Sequence, residues 1–81
     1  MIAKVKITLN DTLEYNGLTR NAVAVEGKIR PATISELCNG KSKAISFETL
    51  ERIANAMTTL DNTGKLYGIH DVLTIEYVNE A

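Results

Sequence analysis

The chain contains one cysteine, one histidine, one proline, one phenylalanine and no tryptophan in 81 residues. Each shortage removes a class of protein. A lone Cys38 cannot close an internal disulfide, so the core must hold without staples, and a reducing cytoplasm is the expected compartment. Cys38 and His70 are too few for a four-ligand zinc site, and His70 has no second histidine for a catalytic pair. There is no glycine-rich phosphate loop, so neither an enzyme nor a cofactor is expected. Phe47 and three tyrosines form no stacking platform for single-stranded RNA. No apolar run approaches the roughly 20 residues of a membrane span. Residues 1–9 interrupt their apolar positions with Lys4 and Lys6, unlike a secretory leader, so no membrane partner is expected.

What is present is ordinary for a compact domain: 44% hydrophobic and 23% charged residues. This length suits one domain over residues 1–81, burying roughly 60–65% of its unfolded surface. The net charge of −1 argues at first against a nucleic-acid partner. Its distribution argues the other way. Between Arg20 and Lys43 five basic residues (Arg20, Lys28, Arg30, Lys41, Lys43) face two acidic ones (Glu26, Glu36), a local +3. The remainder sets Lys4, Lys6, Arg52 and Lys65 against eight acids, a local −4.

Val5, Ile7 and Leu9 alternate with polar residues, a strand pattern that competes with a helical one through Ile2, Val5, Leu9 and Leu13. A switch resolves the conflict: strand to about Ile7, then Thr8 capping a short helix to about Tyr15 that ends at Asn16-Gly17. Thr19 is the expected N-cap of a second helix over residues 20–27. Residues 27–40 carry a three-residue turn, Pro31 at the first helical position, inward Ile34 and Leu37, and an Asn39-Gly40 stop. Two helices crossing through so tight a turn make a helix-turn-helix. Ser46 then caps a helix whose Phe47, Leu50, Ile53, Ala54 and Met57 lie on one stripe. Residues 58–68 read as loop with a reversal at 61–64, followed by a short helical turn near residues 69–73. Residues 74–78 alternate as a last strand, a natural antiparallel partner for the first. The predicted fold is mostly α, five short helices with a two-stranded ribbon from the termini.

The ordered series Val5-Lys6-Ile7, Gly17-Leu18-Thr19, Ile29 to Ile34, Asn39-Gly40-Lys41, Ser46 to Leu50 and Glu76-Tyr77-Val78 resembles the small Xre or lambda-repressor-like (Cro-type) helix-turn-helix regulators, in particular a short subgroup with terminal strands. The resemblance covers about residues 4–58 and 69–78. It departs from the family in two places. Lys28 stands where the family usually has glycine, with Gly27 one position earlier, so either a non-glycine adopts the left-handed conformation or the turn is rearranged. The loop at 58–68 is also longer than the family's usual link.

The resemblance implies double-stranded DNA as partner, a repressor-type regulator, and a homodimer. It places the third helix, about residues 31–39, in the major groove. Arg30, Ala32, Thr33 and Glu36 would then meet base edges. Thr19, Arg20, Asn21, Ser35, Asn39, Lys41, Ser42 and Lys43 would meet phosphates. Arg30 suits a bidentate contact to guanine and Thr33 a thymine methyl, while Glu36 can accept from cytosine N4. Plainer roles compete: Thr19 and Asn39 as helix caps, Lys41 and Lys43 as solvated loop charges, Arg30 as a partner of Glu26. Cys38, beside inward Leu37, reads as packing, and His70 as structural or surface. The rival function is a protein-interaction module on the same fold, an antirepressor or antitoxin-like partner, with the 58–68 loop as a possible protein contact.

Overall fold

A computed structural model describes residues 1–79. Strand β1 (Ile2–Ile7) leads into helices α1 (Leu9–Tyr15), α2 (Arg20–Gly27), α3 (Pro31–Cys38) and α4 (Phe47–Leu60). A single 3-10 turn (Ile69–Asp71) and strand β2 (Leu73–Val78) complete the chain. The expected fifth helix is thus one turn, and the α-helices number four among the described residues. The reason lies in where its carbonyls go. The Thr8 hydroxyl donates to the His70 carbonyl at 2.9 Å and the Thr8 N–H to the Val72 carbonyl at 2.9 Å. A continuing helix would need both acceptors for its own ladder. Thr8 therefore stands at the N-cap position of α1 without capping it by its side chain.

The other helix ends follow the residue types. The Thr19 and Ser46 hydroxyls accept from the N–H groups of Ala22 and Thr49, both at 3.1 Å, and fix the starts of α2 and α4. Pro31 opens α3, where a missing N–H is harmless, and Gly40 at φ 71° closes it. Between α2 and α3, Lys28 takes the left-handed conformation (φ 55°, ψ 44°), which settles the departure at the turn: a lysine occupies the conformation that favours glycine. Gly27 has a different duty. A Cβ there would stand 2.9 Å from the Ile29 Cδ1 and 3.2 Å from the Arg52 backbone oxygen, so its bareness lets α4 approach the end of α2.

One cluster joins the four helices: Leu9 and Leu13 of α1, Val23 and Ala24 of α2, Ile34 and Leu37 of α3, and Ile53, Ala56 and Met57 of α4, closed by Tyr67 and Val72. The expected stripe on α4 is corrected at one end, because Phe47 is 84% exposed while Ala56 is buried and Leu50 and Leu60 pack at the margin. Phe47 is the first helical residue, and the first turn of α4 precedes the stretch that the other helices cover.

The helix α4 also runs on through residues 58–60, so the loop begins at Asp61. Its order comes from Tyr67, buried in the cluster, whose hydroxyl donates to the Asp61 carboxylate and whose N–H donates to the Thr58 hydroxyl at 3.1 Å. That anchoring is invisible to a reading of local turn residues. The strands pair antiparallel from Ile2 with Val78 to Ile7 with Leu73. Apart from Ile7, every residue of β1 is exposed, so the ribbon stands largely clear of the helical body.

Candidate nucleic-acid interface

The turn between α2 and α3 is set by backbone bonds. The Ile29 N–H donates to the Ala24 carbonyl at 2.9 Å and the Lys28 N–H to the Val25 carbonyl at 3.2 Å, ending α2 and redirecting the chain within Lys28, Ile29 and Arg30. Arg52 on α4 supports the turn from behind, bonding the Lys28 carbonyl at 3.4 Å and Glu48 at 2.6 Å. Arg30 is the N-cap residue of α3, and its carbonyl accepts from Thr33 at 2.9 Å, which leaves its side chain outside the helix.

With Ile34 and Leu37 turned inward, α3 presents its opposite side to solvent. Ala32 and Glu36 are exposed there, one helical turn apart, with Thr33 and Ser35 half-buried on the flanks. Arg30 is exposed ahead of this face, and Asn39, Lys41 and Lys43 are exposed beyond it, with Ser42 half-buried. Ala32 and Glu36 thus lie on the open side of a helix about 12 Å long, with Arg30 exposed just before it and Thr33 half-buried at its flank.

The candidate phosphate residues fall into two groups that Arg20 ties together. Its guanidinium donates to the Asn10 side-chain oxygen at 3.0 Å and to that of Asn39 at 3.5 Å, so the N-terminus of α2 lies against the C-terminal end of α3. Thr19 and Asn21 are exposed beside it. Thr19 fills the plainer role of cap, and its hydroxyl hydrogen is left for another acceptor. Asn39 stands at the C-cap position of α3. Asn10 had no signal in the sequence: it lies ten residues before Arg20, and only the packing of α1 beside the motif makes it a positioning partner.

Charge pairing divides the surface. Among the described residues the carboxylate ion pairs are Lys6 with Glu76 at 4.0 Å and Arg52 with Glu48 at 2.6 Å, both outside the α3 face. Arg30 is not paired with Glu26, and Lys28, Lys41 and Lys43 are likewise exposed without a carboxylate partner among these residues. Lys28, in the turn next to Arg30, is a cation the sequence reading left unassigned. Burial pushes the Cys38 thiol up, with Arg20 opposing, so Cys38 is a protonated, half-buried packing residue. No group of His, Cys, Asp or Glu side chains among the described residues is placed to hold a metal ion.

An exposed helix, carried over a tight turn from a second helix and flanked by free cations, defines a helix-turn-helix nucleic-acid-binding domain. The Helix-turn-helix family model, HTH_3, matches residues 13–59. The chain belongs to this family, of the Xre or lambda-repressor-like type, and is a DNA-binding regulatory protein in that general sense. The matched span begins at Leu13 near the end of α1, holds α2 and α3 and runs through α4 to Thr59, and the terminal ribbon lies outside it. No curated protein and no solved structure matches the chain. Among the described residues no helix is long and apolar enough to cross a membrane.

Proposed function

We propose that the protein is a sequence-specific regulator of repressor type that occupies a two-fold DNA operator in the cytoplasm as a homodimer, with α3 in the major groove. The observation that carries this reading is the set of cations without a carboxylate partner among the described residues, Arg30 before the exposed face of α3 and Lys41 and Lys43 beyond it, while Glu48 and Glu76 are paired elsewhere. Arg30 reads guanine through its fork, Thr33 and Ala32 offer apolar contact to thymine, and Glu36 accepts from cytosine while rejecting misplaced phosphate. Lys41, Lys43, Ser42 and Asn39 hold one phosphate strand position, and Thr19, Asn21, Arg20 and Ser35 hold another, with the free N–H groups at the start of α2 contributing. Two short readout faces suit a dimer, since each alone discriminates few base pairs.

Fluorescence anisotropy with random-sequence duplex from low to physiological salt tests the reading. Binding should weaken steeply with salt, and Lys41→Ala with Lys43→Ala should lower affinity on every sequence and reduce the salt slope by about 1 per lysine. Flat anisotropy at low salt would remove DNA as the partner and favour the protein-interaction module.

A further inference from the structure

The terminal ribbon has two distinct faces. Directly paired residues share a face, so Ala3 with Tyr77, Val5 with Ile75 and Ile7 with Leu73 make one side wholly apolar. The other carries Lys4 with Glu76 and Lys6 with Thr74. Part of the apolar side borders the end of α3. There Val5, Ile7 and Leu73 line a groove of about 750 Å³, and Leu37, Cys38 and Ile45 supply most of the rest of its apolar lining. Leu37 belongs to the buried cluster, and Ile7, Cys38 and Ile45 pack against it. The floor of the groove is therefore fixed by the core, while the ribbon side stays open, with Val5 63% and Ile75 52% exposed.

The polar border of the groove has one sign. Asn39, Ser42 and Lys43 line it, and among the described residues no carboxylate does. Lys43 is exposed and has no carboxylate partner among these residues. Around it, the backbone N–H groups of Ser42, Lys43, Ala44 and Ile45 donate to no backbone carbonyl among the described residues. The loop after α3 thus brings a cation and free donors to the border of an apolar trough.

We propose that this groove binds a free amphipathic carboxylate of the medium-chain fatty acid class, its head at Lys43 and its chain along the apolar lining, and that the bound ligand weakens DNA binding. The volume falls within the roughly 300–1,000 Å³ of small-molecule sites, and an apolar lining with few polar groups is their usual chemistry. A single cation suits a singly charged head. A phosphate head would bring up to about two charges and leave part of them unmatched. A peptide strand fits less well, because the ribbon turns its apolar face and not an edge to the groove, so no backbone ladder is offered there. The effect on DNA rests on the regulator reading, in which Lys43, Ser42 and Asn39 hold phosphate. A carboxylate at Lys43 claims the same ammonium, and by linkage ligand and duplex weaken each other by equal factors.

Calorimetric titration of decanoate, below its aggregation concentration, into the full chain tests the site. Alkylation by iodoacetamide gives a second readout, since Cys38 is the only thiol in the chain and lines the groove, and occupancy should slow it severalfold. Affinity should fall about two- to fourfold for each CH₂ removed from the ligand. Decanol should bind severalfold more weakly than decanoate, and Lys43→Ala should erase that difference. In anisotropy with random-sequence duplex, saturating decanoate should weaken wild-type binding severalfold and lower the salt slope by about 1. Val5→Glu places a carboxylate at an exposed border of the groove outside the proposed DNA contacts, so it should bind duplex like wild type and ignore decanoate. Thermal melts confirm that both variants fold. Equal affinity for decanoate and decanol, unchanged alkylation of Cys38, preference for anionic phospholipid vesicles over free decanoate, or duplex affinity indifferent to bound decanoate would each overturn the proposal. Duplex binding without decanoate binding would remove the ligand and leave the regulator reading. Decanoate binding by a chain that never binds duplex would remove the regulator reading and its regulation, while the ligand site stands.

Discussion

Tyr67 and Asp61 form the most strongly perturbed pair of ionisable groups described. Burial, the hydrogen bond to Asp61 and the nearby carboxylate charges push the Tyr67 phenol up to about 12. The bond from Tyr67, with that from Thr63, holds the Asp61 carboxyl below its usual range. For tyrosine the folded value lies above the unfolded one near 10, so an unfolded chain loses this proton first and stability should fall as pH rises from about 10 to 12. For aspartate the sign reverses: its contribution is present above the ordinary carboxylate range and is lost as pH falls through the depressed folded value. Urea midpoints across pH for wild type and Tyr67→Phe should differ on both limbs, with the variant flatter on each. A second residue-scale outcome concerns Arg30. Its replacement by alanine should relax preference at one base pair by about 1–3 kcal/mol, read as converging affinities for operators that differ there, while thermal stability stays unchanged. Arg30 was legible in the sequence because its place just before Pro31 fixes it at the helix start. Tyr67 was not, since its partners are defined by where α4 stops.

At the scale of elements the turn between α2 and α3 is the point of tension. A left-handed non-glycine residue costs about 1–2 kcal/mol, and glycine gives back about 0.4–1 kcal/mol in unfolded-chain entropy. Lys28→Gly should therefore stabilise the fold by up to about 1 kcal/mol, raising the melting temperature by a few degrees. Gly27→Ala should act oppositely, because its methyl would press on the Arg52 backbone oxygen, which cannot swing aside as a side chain can. Differential scanning calorimetry of the two variants separates a glycine needed for φ from one needed for room. The sequence showed a glycine displaced by one position. Only the approach of α4 showed why it stands at 27. The start of α4 gives a similar lesson, where helical spacing put Phe47 on the apolar stripe but the neighbouring helices cover only the later turns.

For the whole molecule the decisive quantity is how a net charge of −1 is arranged. Glu48 and Glu76 are engaged with Arg52 and Lys6, while the cations around α3 meet solvent. Duplex affinity should accordingly fall linearly in logarithmic plots against salt, with a slope set by few contacts per monomer and doubled when two copies bind together. Measuring that slope over a range of protein concentrations tests the proposed homodimer, since a slope that steepens with concentration marks two copies engaging DNA jointly. A slope independent of protein concentration would mean that two copies do not engage DNA jointly.

The sequence alone determined the order of the two strands and the four α-helices, because the Thr19 and Ser46 caps, Pro31, the Asn39-Gly40 stop and the alternating ends act within a few residues of themselves. It also determined that the basic excess falls on the helix-turn-helix, since that depends on counting along the chain. Tertiary structure decided which face each element buries, that Arg20 is held between Asn10 and Asn39, that Tyr67 orders the loop from Asp61, and that the ribbon keeps an open apolar side. These depend on contacts between residues distant in sequence, whose partners are chosen by how the helices pack and not by any local pattern.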